Sequence, residues 1–195
     1  MSAASLRRQL WTVPNLVTIL RLAALPIFCW LLFGLDDRAA AGILLGALGA
    51  SDFLDGYLAR RLGQATDLGA VLDPVVDRFM FFAAVIAMLV NGDVARWFGI
   101  TALAREFGLS VGTLILASKR VGWLGVNAWG KSGSFGLMFA FPMLLLGASE
   151  IAGAGAWRIA GWVCGVPSLA VAWYGAWLYV PAARAALAAP PPAGS

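Results

Sequence analysis

Long apolar stretches alternate with short polar connections along the chain. Six such segments can be drawn, with approximate limits at residues 14–35, 39–59, 69–91, 95–117, 131–149 and 157–181. A helix needs about 20 predominantly apolar residues to cross a bilayer, and each segment reaches or nearly reaches that length. The pattern therefore predicts an all-α integral membrane protein with six transmembrane helices.

The composition agrees with a membrane protein. Of the 195 residues, 61% are hydrophobic and only 12% are charged, whereas soluble domains carry roughly 25% charged residues. The mean hydropathy is +0.83. A soluble chain of this length could not bury so much apolar surface, which excludes an ordinary soluble enzyme. The first segment contains Arg21 and Pro26 and no small-residue cleavage site follows it, so we interpret it as a retained helix and not as a signal peptide.

Basic residues are concentrated in alternate connections. With a cytoplasmic N-terminus, the inside connections hold Arg7, Arg8, Arg60, Arg61, Lys119, Arg120, Lys131 and Arg184, and the outside connections hold Arg38, Arg96 and Arg158. This excess follows the positive-inside rule and predicts that both termini are cytoplasmic. We attribute the net charge of +4 to orientation and lipid headgroups, and predict no nucleic-acid partner.

Four aspartates interrupt the apolar pattern where the second segment ends and the third begins. Asp52 and Asp55 are three residues apart and Asp73 and Asp77 are four apart, so each pair shares one face of a helix. Carboxylates at membrane depth are unfavourable and usually functional. Bound cations would relieve the repulsion among four of them, and oxygen ligands favour Mg²⁺ or Mn²⁺. The spacing therefore predicts a site for two metal ions, while the neighbouring Asp67 is interpreted as a solvated loop acid.

Small and basic residues follow the first acidic pair. Gly56 and Ala59 keep one helix face small, so that a phosphate-bearing group can approach the backbone. Arg60 can bind a phosphate oxygen in a bidentate manner. Together with metal ions, these residues indicate a diphosphate substrate. The structural alternative is that the four acids form salt bridges with neighbouring arginines, namely Arg60, Arg61 and Arg78.

The segment that begins at Asp52 resembles the signature of the CDP-alcohol phosphatidyltransferase family, D-x2-D-G-x2-A-R-x8-G-x3-D-x3-D. Every fixed position matches, namely Asp52, Asp55, Gly56, Ala59, Arg60, Gly69, Asp73 and Asp77. Eight fixed positions within 26 residues make a specific signal. With the six-segment layout, the resemblance covers about residues 11–180.

The resemblance implies a reaction and a set of residue roles. Members transfer a phosphatidyl group from CDP-diacylglycerol to an alcohol and release CMP. By position, Asp52, Asp55, Asp73 and Asp77 would bind the metal ions. Asp77 would also be the general base that deprotonates the acceptor hydroxyl. The residues implied in binding the CDP moiety are Pro14, Asn15, Gly56, Ala59, Arg60, Thr66 and Gly69. A homodimer is implied as well.

Basic residues near the fourth and fifth segments are candidates for binding an anionic acceptor. They are Arg105, Lys119, Arg120 and Lys131. Adjacent residues do not face each other on a helix, so we expect Arg105 to point into the catalytic cavity and not to pair with Glu106. Lys119 and Arg120 are equally well explained as a basic pair at a helix end that sets the membrane topology. Lys131 opens the fifth segment and is the better candidate.

The residues Val13 to Thr18, followed by Arg21, resemble the family branch that makes phosphatidylglycerophosphate or cardiolipin. The implied acceptor is glycerol 3-phosphate, and the alternative is phosphatidylglycerol, which would give cardiolipin. Two alternatives from other classes are a non-catalytic membrane scaffold and a cation transporter. Transport is disfavoured because the acids cluster at one end while the other halves of the segments are apolar. We therefore predict an enzyme of the cell membrane whose active site faces the cytoplasm.

Three further expectations concern the organisation of the chain. We expect one membrane domain over residues 1–185, followed by a disordered tail rich in Pro and Ala over residues 186–195. The small-residue patterns Gly42–Gly46 and Gly161–Gly165 are expected to pack helices within the chain. The two cysteines are expected to act as small apolar side chains without a disulfide, at Cys29 and Cys164.

Overall fold

The computed structural model describes the backbone of residues 13–62, 67–118 and 128–188, and the side chains of residues 20–51, 75–115, 128–181 and Arg184. Within these ranges the regular structure is helical, which confirms the predicted all-α fold. The helices of the described backbone are α1 (Val13–Cys29), α2 (Arg38–Leu62), α3 (Asp67–Asn91), α4 (Arg96–Ser118), α5 (Ala128–Gly147) and α6 (Ala154–Ala188).

Each predicted segment corresponds to one of these helices. Asp67, expected in a loop, is the first residue of α3. The last helix runs to Ala188, past residue 186, at which the disordered tail was predicted to begin. Residues 189–195 fall outside the described part of the chain. The extent of the domain over residues 1–185 stays a prediction.

The turn between α1 and α2 shows how local chemistry sets helix ends. A π-helical turn, Trp30–Gly34, continues α1. Asp37 then caps α2, because its Oδ1 atom accepts a hydrogen bond from the Ala40 amide at 2.9 Å. A capping aspartate satisfies an amide that has no partner within the helix. This short, well-bonded turn places α2 directly after α1.

Helix α3 ends in a Schellman motif centred on Gly92. The Asp93 amide donates to the Met88 carbonyl at 2.9 Å and the Gly92 amide donates to the Leu89 carbonyl at 3.3 Å. Gly92 has φ +82°, a left-handed conformation that glycine adopts without strain. The motif stops the helix sharply and turns the chain into α4.

The core lies between all six helices and is rich in aromatic contacts. Fully buried side chains include Phe28 from α1, Met88 from α3, Phe98 from α4 and Leu145 from α5. Phe98 is central to these contacts. Its ring centroid lies 5.4 Å from that of Phe141, and its ring also contacts α6. These contacts tie the first and the last helices into one cluster.

Helices α5 and α6 pack with their backbones in close contact along a seam of small residues. A Cβ atom placed on Gly133 would meet the backbone of Ala172, and one on Gly175 would meet the backbone of Gly130. Small residues at such positions allow helices to approach closely in a membrane. The seam makes α5 and α6 the most extensively packed pair of helices in the described structure.

The two small-residue patterns noted in the sequence also pack within the chain, as predicted. A Cβ atom on Gly42 would lie 3.0 Å from Leu146, so the first pattern brings α2 against α5. A Cβ atom on Gly161 would lie 2.8 Å from Leu144. The expectation of two free cysteines is confirmed as well.

Two of the described helices contain stretches long and apolar enough to cross a membrane. They are Arg96–Ile115 in α4 and Ala154–Pro181 in α6. Shorter apolar stretches, Leu20–Gly34 and Arg38–Ser51, belong to α1 with its π-helical turn and to α2. The helices that the sequence predicted are therefore present, and the crossing of a bilayer by all six remains a prediction.

Candidate active site

The acidic motif lies where α2 ends and α3 begins. Asp52 and Asp55 lie toward the end of α2, and Asp73 and Asp77 lie in the first half of α3. The backbone is helical at all four positions, so the two acids of each pair share a face of their helix, as the spacing predicted. Residues 63–66 separate the two helices along the chain.

Of the four predicted metal ligands, Asp77 has a described side chain. The predicted site residues whose side chains lie outside the described part of the chain are Asp52, Asp55, Asp73, Pro14, Asn15, Gly56, Ala59, Arg60, Thr66, Gly69, Lys119 and Arg120. Their roles stay predictions. The geometry of the site is therefore built from Asp77 and the side chains packed around it.

Asp77 forms an ion pair with an arginine from the first helix. The Arg21 Nη1 atom donates to the Asp77 Oδ1 atom at 2.9 Å. The Arg21 side chain is 7% exposed and the Asp77 side chain is 39% exposed. The carboxylate is thus held from the protein side by a buried cation while a substantial part of it stays accessible. This pair was not predicted from the sequence, where the signal for it is an arginine inside the first apolar segment.

The described residues contain no group of three or more carboxylates or cysteines close enough to hold a metal ion. The side chains of three of the four predicted ligands lie outside the described part of the chain. Whether the motif suits a metal ion therefore depends on the kinds of donor atoms that it supplies. Both pairs supply carboxylate oxygens only, and Asp77 is accessible. Such a set fits Mg²⁺ or Mn²⁺, which prefer oxygen ligands and keep several waters.

Arg78, one of the arginines of the salt-bridge alternative, bonds elsewhere. Its Nη1 atom donates to the Ser110 Oγ atom of α4 at 3.1 Å, and the Ser110 hydroxyl donates to the Glu106 carbonyl at 2.8 Å. Arg78 therefore anchors α3 to α4 through a neutral hydroxyl. This contact does not support the alternative in which Arg78 neutralises the motif as a structural salt bridge.

The expectation that Arg105 would not pair with Glu106 was wrong. The guanidinium contacts the Glu106 carboxylate, and its Nη1 atom also donates to the Ser134 Oγ atom at 2.6 Å. Although adjacent residues leave a helix in different directions, both long side chains bend toward Ser134 of α5. Ser134 donates in turn to Glu106 Oε1 at 3.2 Å.

Arg105 is 3% exposed and joins three helices. Its Nη2 atom donates to the Gly130 carbonyl at 3.0 Å, and its Nε atom donates to the Ala172 carbonyl at 3.3 Å. The guanidinium packs against Gly130, where a Cβ atom would lie 3.4 Å from Nη2, an ordinary van der Waals distance. With its hydrogen bonds directed to protein acceptors, Arg105 fastens α4 to α5 and α6, and we do not retain it as an acceptor-binding residue.

Lys131 remains the described candidate for the acceptor. It lies in the first turn of α5 and its side chain is exposed. It lies three residues before Ser134, which accepts a hydrogen bond from Arg105. A mobile cation on a fixed helix end can reach an anionic group in solution or at a membrane surface.

A cavity of about 490 Å³ lies at the opposite end of the helices. Its lining includes Arg38, Asp93 and Arg158, and the Arg38 Nε atom donates to the Asp93 Oδ1 atom at 2.7 Å. At a rise of 1.5 Å per residue, the end of α3 is roughly 21 Å from Asp77. This cavity is therefore separate from the acidic motif.

Comparison with known proteins identifies the family. Residues 11–180 match the CDP-alcohol phosphatidyltransferase family. A relative from Streptomyces coelicolor, named cardiolipin synthase (CMP-forming), is 36% identical over 179 residues, which is 87% of this chain and 81% of the relative. A relative from Rickettsia bellii, named CDP-diacylglycerol–glycerol-3-phosphate 3-phosphatidyltransferase, is 36% identical over 69% of this chain and 75% of its own length.

A relative from Pseudomonas fluorescens with the same name as the Rickettsia protein is 42% identical over 50% of this chain and 52% of its own length. The family match spans the acidic motif and all six described helices, from the beginning of α1 to the later part of α6. The chain therefore belongs to the CDP-alcohol phosphatidyltransferase family.

Proposed function

We propose that this protein transfers the phosphatidyl group of CDP-diacylglycerol to the hydroxyl of an anionic glycerol-based acceptor and releases CMP. The observation that carries the proposal is the complete motif, which spans the later part of α2 and the first half of α3, with Asp77 held by a buried arginine. Family membership supports the same reaction, as do the names of relatives that act on CDP-diacylglycerol.

In the proposed reaction the acceptor oxygen attacks the phosphorus next to the diacylglycerol moiety. A new oxygen–phosphorus bond forms, and the bond from that phosphorus to the oxygen of CMP breaks in line with it. Divalent ions, when bound, neutralise charge on the transferred and leaving oxygens. We assign these ions, as Mg²⁺ or Mn²⁺, to Asp52, Asp55, Asp73 and Asp77.

Asp77 is the proposed general base. It is accessible enough for a hydroxyl to approach, and Arg21 fixes one of its oxygens. The acceptor proton passes to the carboxylate as the new bond forms. General bases of this kind typically contribute 10²- to 10⁴-fold to the rate. The CDP moiety is assigned to Pro14, Asn15, Gly56, Ala59, Arg60, Thr66 and Gly69.

We also propose that the six helices cross the cell membrane, with the motif at the cytoplasmic side. Large apolar side chains point outward along the described helices: Val90 is 74% exposed, Trp177 72% and Leu114 70%. Such a surface requires a lipid or protein partner. The family's lipid donor and the excess of basic residues in alternate connections support the same placement. A homodimer fits the remaining apolar surface.

The acceptor that we propose first is glycerol 3-phosphate. The residues Val13 to Thr18 with Arg21 resemble the branch that makes phosphatidylglycerophosphate or cardiolipin, and two relatives are named as glycerol-3-phosphate phosphatidyltransferases. One observation favours phosphatidylglycerol as a second candidate. The relative that covers 87% of this chain is named cardiolipin synthase (CMP-forming). Both acceptors are anionic and present a glycerol hydroxyl, so the acidic motif and Asp77 would handle them in the same way.

Purified protein supplied with CDP-diacylglycerol and Mg²⁺ tests the proposal. We expect CMP release that depends on an acceptor, with phosphatidylglycerophosphate as the product when glycerol 3-phosphate is present. Cardiolipin formed from phosphatidylglycerol, without turnover of glycerol 3-phosphate, would establish the second candidate. The absence of CMP release with either acceptor would favour a non-catalytic scaffold or a transporter.

Replacing Lys131 with glutamine should weaken acceptor binding. The exposed ammonium would otherwise form a charge-assisted hydrogen bond with the phosphate, a contact worth about 1.5–3 kcal/mol. We therefore expect KM for glycerol 3-phosphate to rise about tenfold or more while kcat changes little. Lys131→Arg is the matched control and should retain most of the affinity. An unchanged KM in Lys131→Gln would remove Lys131 from the acceptor site.

A further inference from the structure

We propose that Arg21 is the built-in counter-ion and positioning residue of Asp77, and so stabilises the acidic motif before metal ions and substrate bind. The inference rests on the proposed function, in which Asp77 is a metal ligand and the general base. It adds a role for a first-helix residue that lies 31 positions before the first aspartate of the motif.

Arg21 occupies a position on α1 where the pattern otherwise places core residues. Ala24, Phe28 and Leu32 follow it at helical spacing and are 7%, 1% and 0% exposed. Arg21 itself is 6% exposed. The Arg21 side chain therefore lies in the interior because it is on the helix face that forms the core. It is not carried there by a loop or a helix end.

Asp77 occupies the equivalent position on α3. Met80, Ala84 and Met88 follow it at helical spacing and are buried. Because α1 packs along α3, the two core-facing stripes meet, and their charged members form the 2.9 Å ion pair. The pair is thus fixed by the packing of two helices whose residues are 56 positions apart in the chain.

The burial of Arg21 separates this role from that of a substrate-binding residue. A guanidinium that is 7% exposed and bonded to a carboxylate is poorly placed to take up a diphosphate from outside. Removing a group that holds a metal ligand in place typically lowers activity 10- to 100-fold. The ion pair fixes Asp77 Oδ1, and the Asp77 side chain is still 39% exposed.

The charge of Arg21 has a second consequence. The four aspartates of the motif carry a formal charge of −4, and the buried Arg21 offsets one of these negative charges. Without Arg21 the repulsion in the metal-free protein would be greater, and Mg²⁺ would relieve more of it. A residue that acted through packing alone would affect the metal-free and the metal-loaded protein equally.

Thermal unfolding in detergent tests the counter-ion role without any turnover. We expect Arg21→Gln to lower Tm by several degrees more in EDTA than in saturating Mg²⁺, and Arg21→Lys, which keeps the charge, to show a smaller difference. Arg38→Gln is the matched control, because Arg38 forms an ion pair with Asp93 far from the motif. Its loss of Tm should be the same with and without Mg²⁺.

Equal losses for Arg21→Gln in EDTA and in Mg²⁺ would overturn the counter-ion role, and so would a wild-type Tm that does not respond to Mg²⁺. If Arg21→Gln yields no folded protein, the comparison passes to Arg21→Lys against Arg38→Lys under the same two conditions, and an Arg21→Lys loss of Tm that is larger in Mg²⁺ than in EDTA would overturn the role. Because these measurements need no substrate, they decide the proposal even if the wild type releases no CMP, a result that would contradict the proposed function alone.

Turnover tests the positioning role. We expect Arg21→Gln to lower kcat about 10- to 100-fold with KM for CDP-diacylglycerol within about twofold of the wild type, and Arg21→Lys to recover part of the loss. Since Arg21 acts through Asp77, adding Arg21→Gln to Asp77→Asn should reduce the residual rate little further. Additive losses, or a rise in KM for the donor without a fall in kcat, would overturn the positioning role.

Discussion

Replacing Asp77 with asparagine is expected to abolish CMP release while the protein stays folded. Asparagine has nearly the same shape, and its side-chain oxygen can still accept the hydrogen bond from Arg21. It cannot take up the acceptor proton and is a weak ligand for a divalent ion. Loss of a general base alone lowers rates about 10²- to 10⁴-fold, and loss of a metal ligand adds to this.

Asp93→Asn is the matched control for this variant. Asp93 also lies next to α3 and accepts a hydrogen bond from an arginine, Arg38, at 2.7 Å, but it lines the cavity at the opposite end. We expect Asp93→Asn to lose stability and to keep its turnover per folded molecule. CMP release and gel filtration in detergent check both variants. Near-normal turnover in Asp77→Asn would show that the base is another residue.

Replacing Gly133 with valine is expected to prevent normal packing of α5 on α6. A Cβ atom at this position would meet backbone atoms of Ala172, which cannot move without shifting the whole helix. Overpacking a core usually lowers the free energy of unfolding by 1–3 kcal/mol, and a clash with backbone on the tightest seam should exceed about 3 kcal/mol. Aggregation or a strongly lowered Tm in detergent would be the observed result.

Gly108→Val on α4 is the control for the packing prediction. A Cβ atom on Gly108 would meet no other atom within 4 Å, so the same substitution should change stability by less than about 1 kcal/mol. A similar loss of Tm in both variants would mean that helix propensity or membrane insertion, and not the α5–α6 seam, determines the effect of valine at Gly133.

Much of the fold could be predicted because it depends on local patterns. Apolar segments of a characteristic length indicated each helix, and Gly42 and Gly161 indicated close packing within the chain. Some helix ends were missed, since they depend on individual hydrogen bonds. The first residue of α3, Asp67, is an example, because it lies between the second and third apolar segments and was therefore assigned to a loop.

The contacts between helices were the least predictable part of the site. The ion pair of Arg21 with Asp77 joins residues 56 positions apart, and no periodicity within either helix specifies which arginine reaches which acid. The rule that adjacent residues point apart failed for Arg105 and Glu106, because a third residue, Ser134, draws both long side chains to one point. The motif, by contrast, depends on spacing alone and was found from the sequence.

The transfer of the phosphatidyl group is tested most directly by following its phosphorus. Purified protein would receive CDP-diacylglycerol labelled on the phosphorus next to diacylglycerol, together with Mg²⁺ and each acceptor in turn. We predict that the label moves to a new phospholipid in amounts equal to the CMP released, and only when acceptor and Mg²⁺ are both present. Label that stays in CDP-diacylglycerol with every acceptor, or that leaves with the nucleotide, would contradict the account.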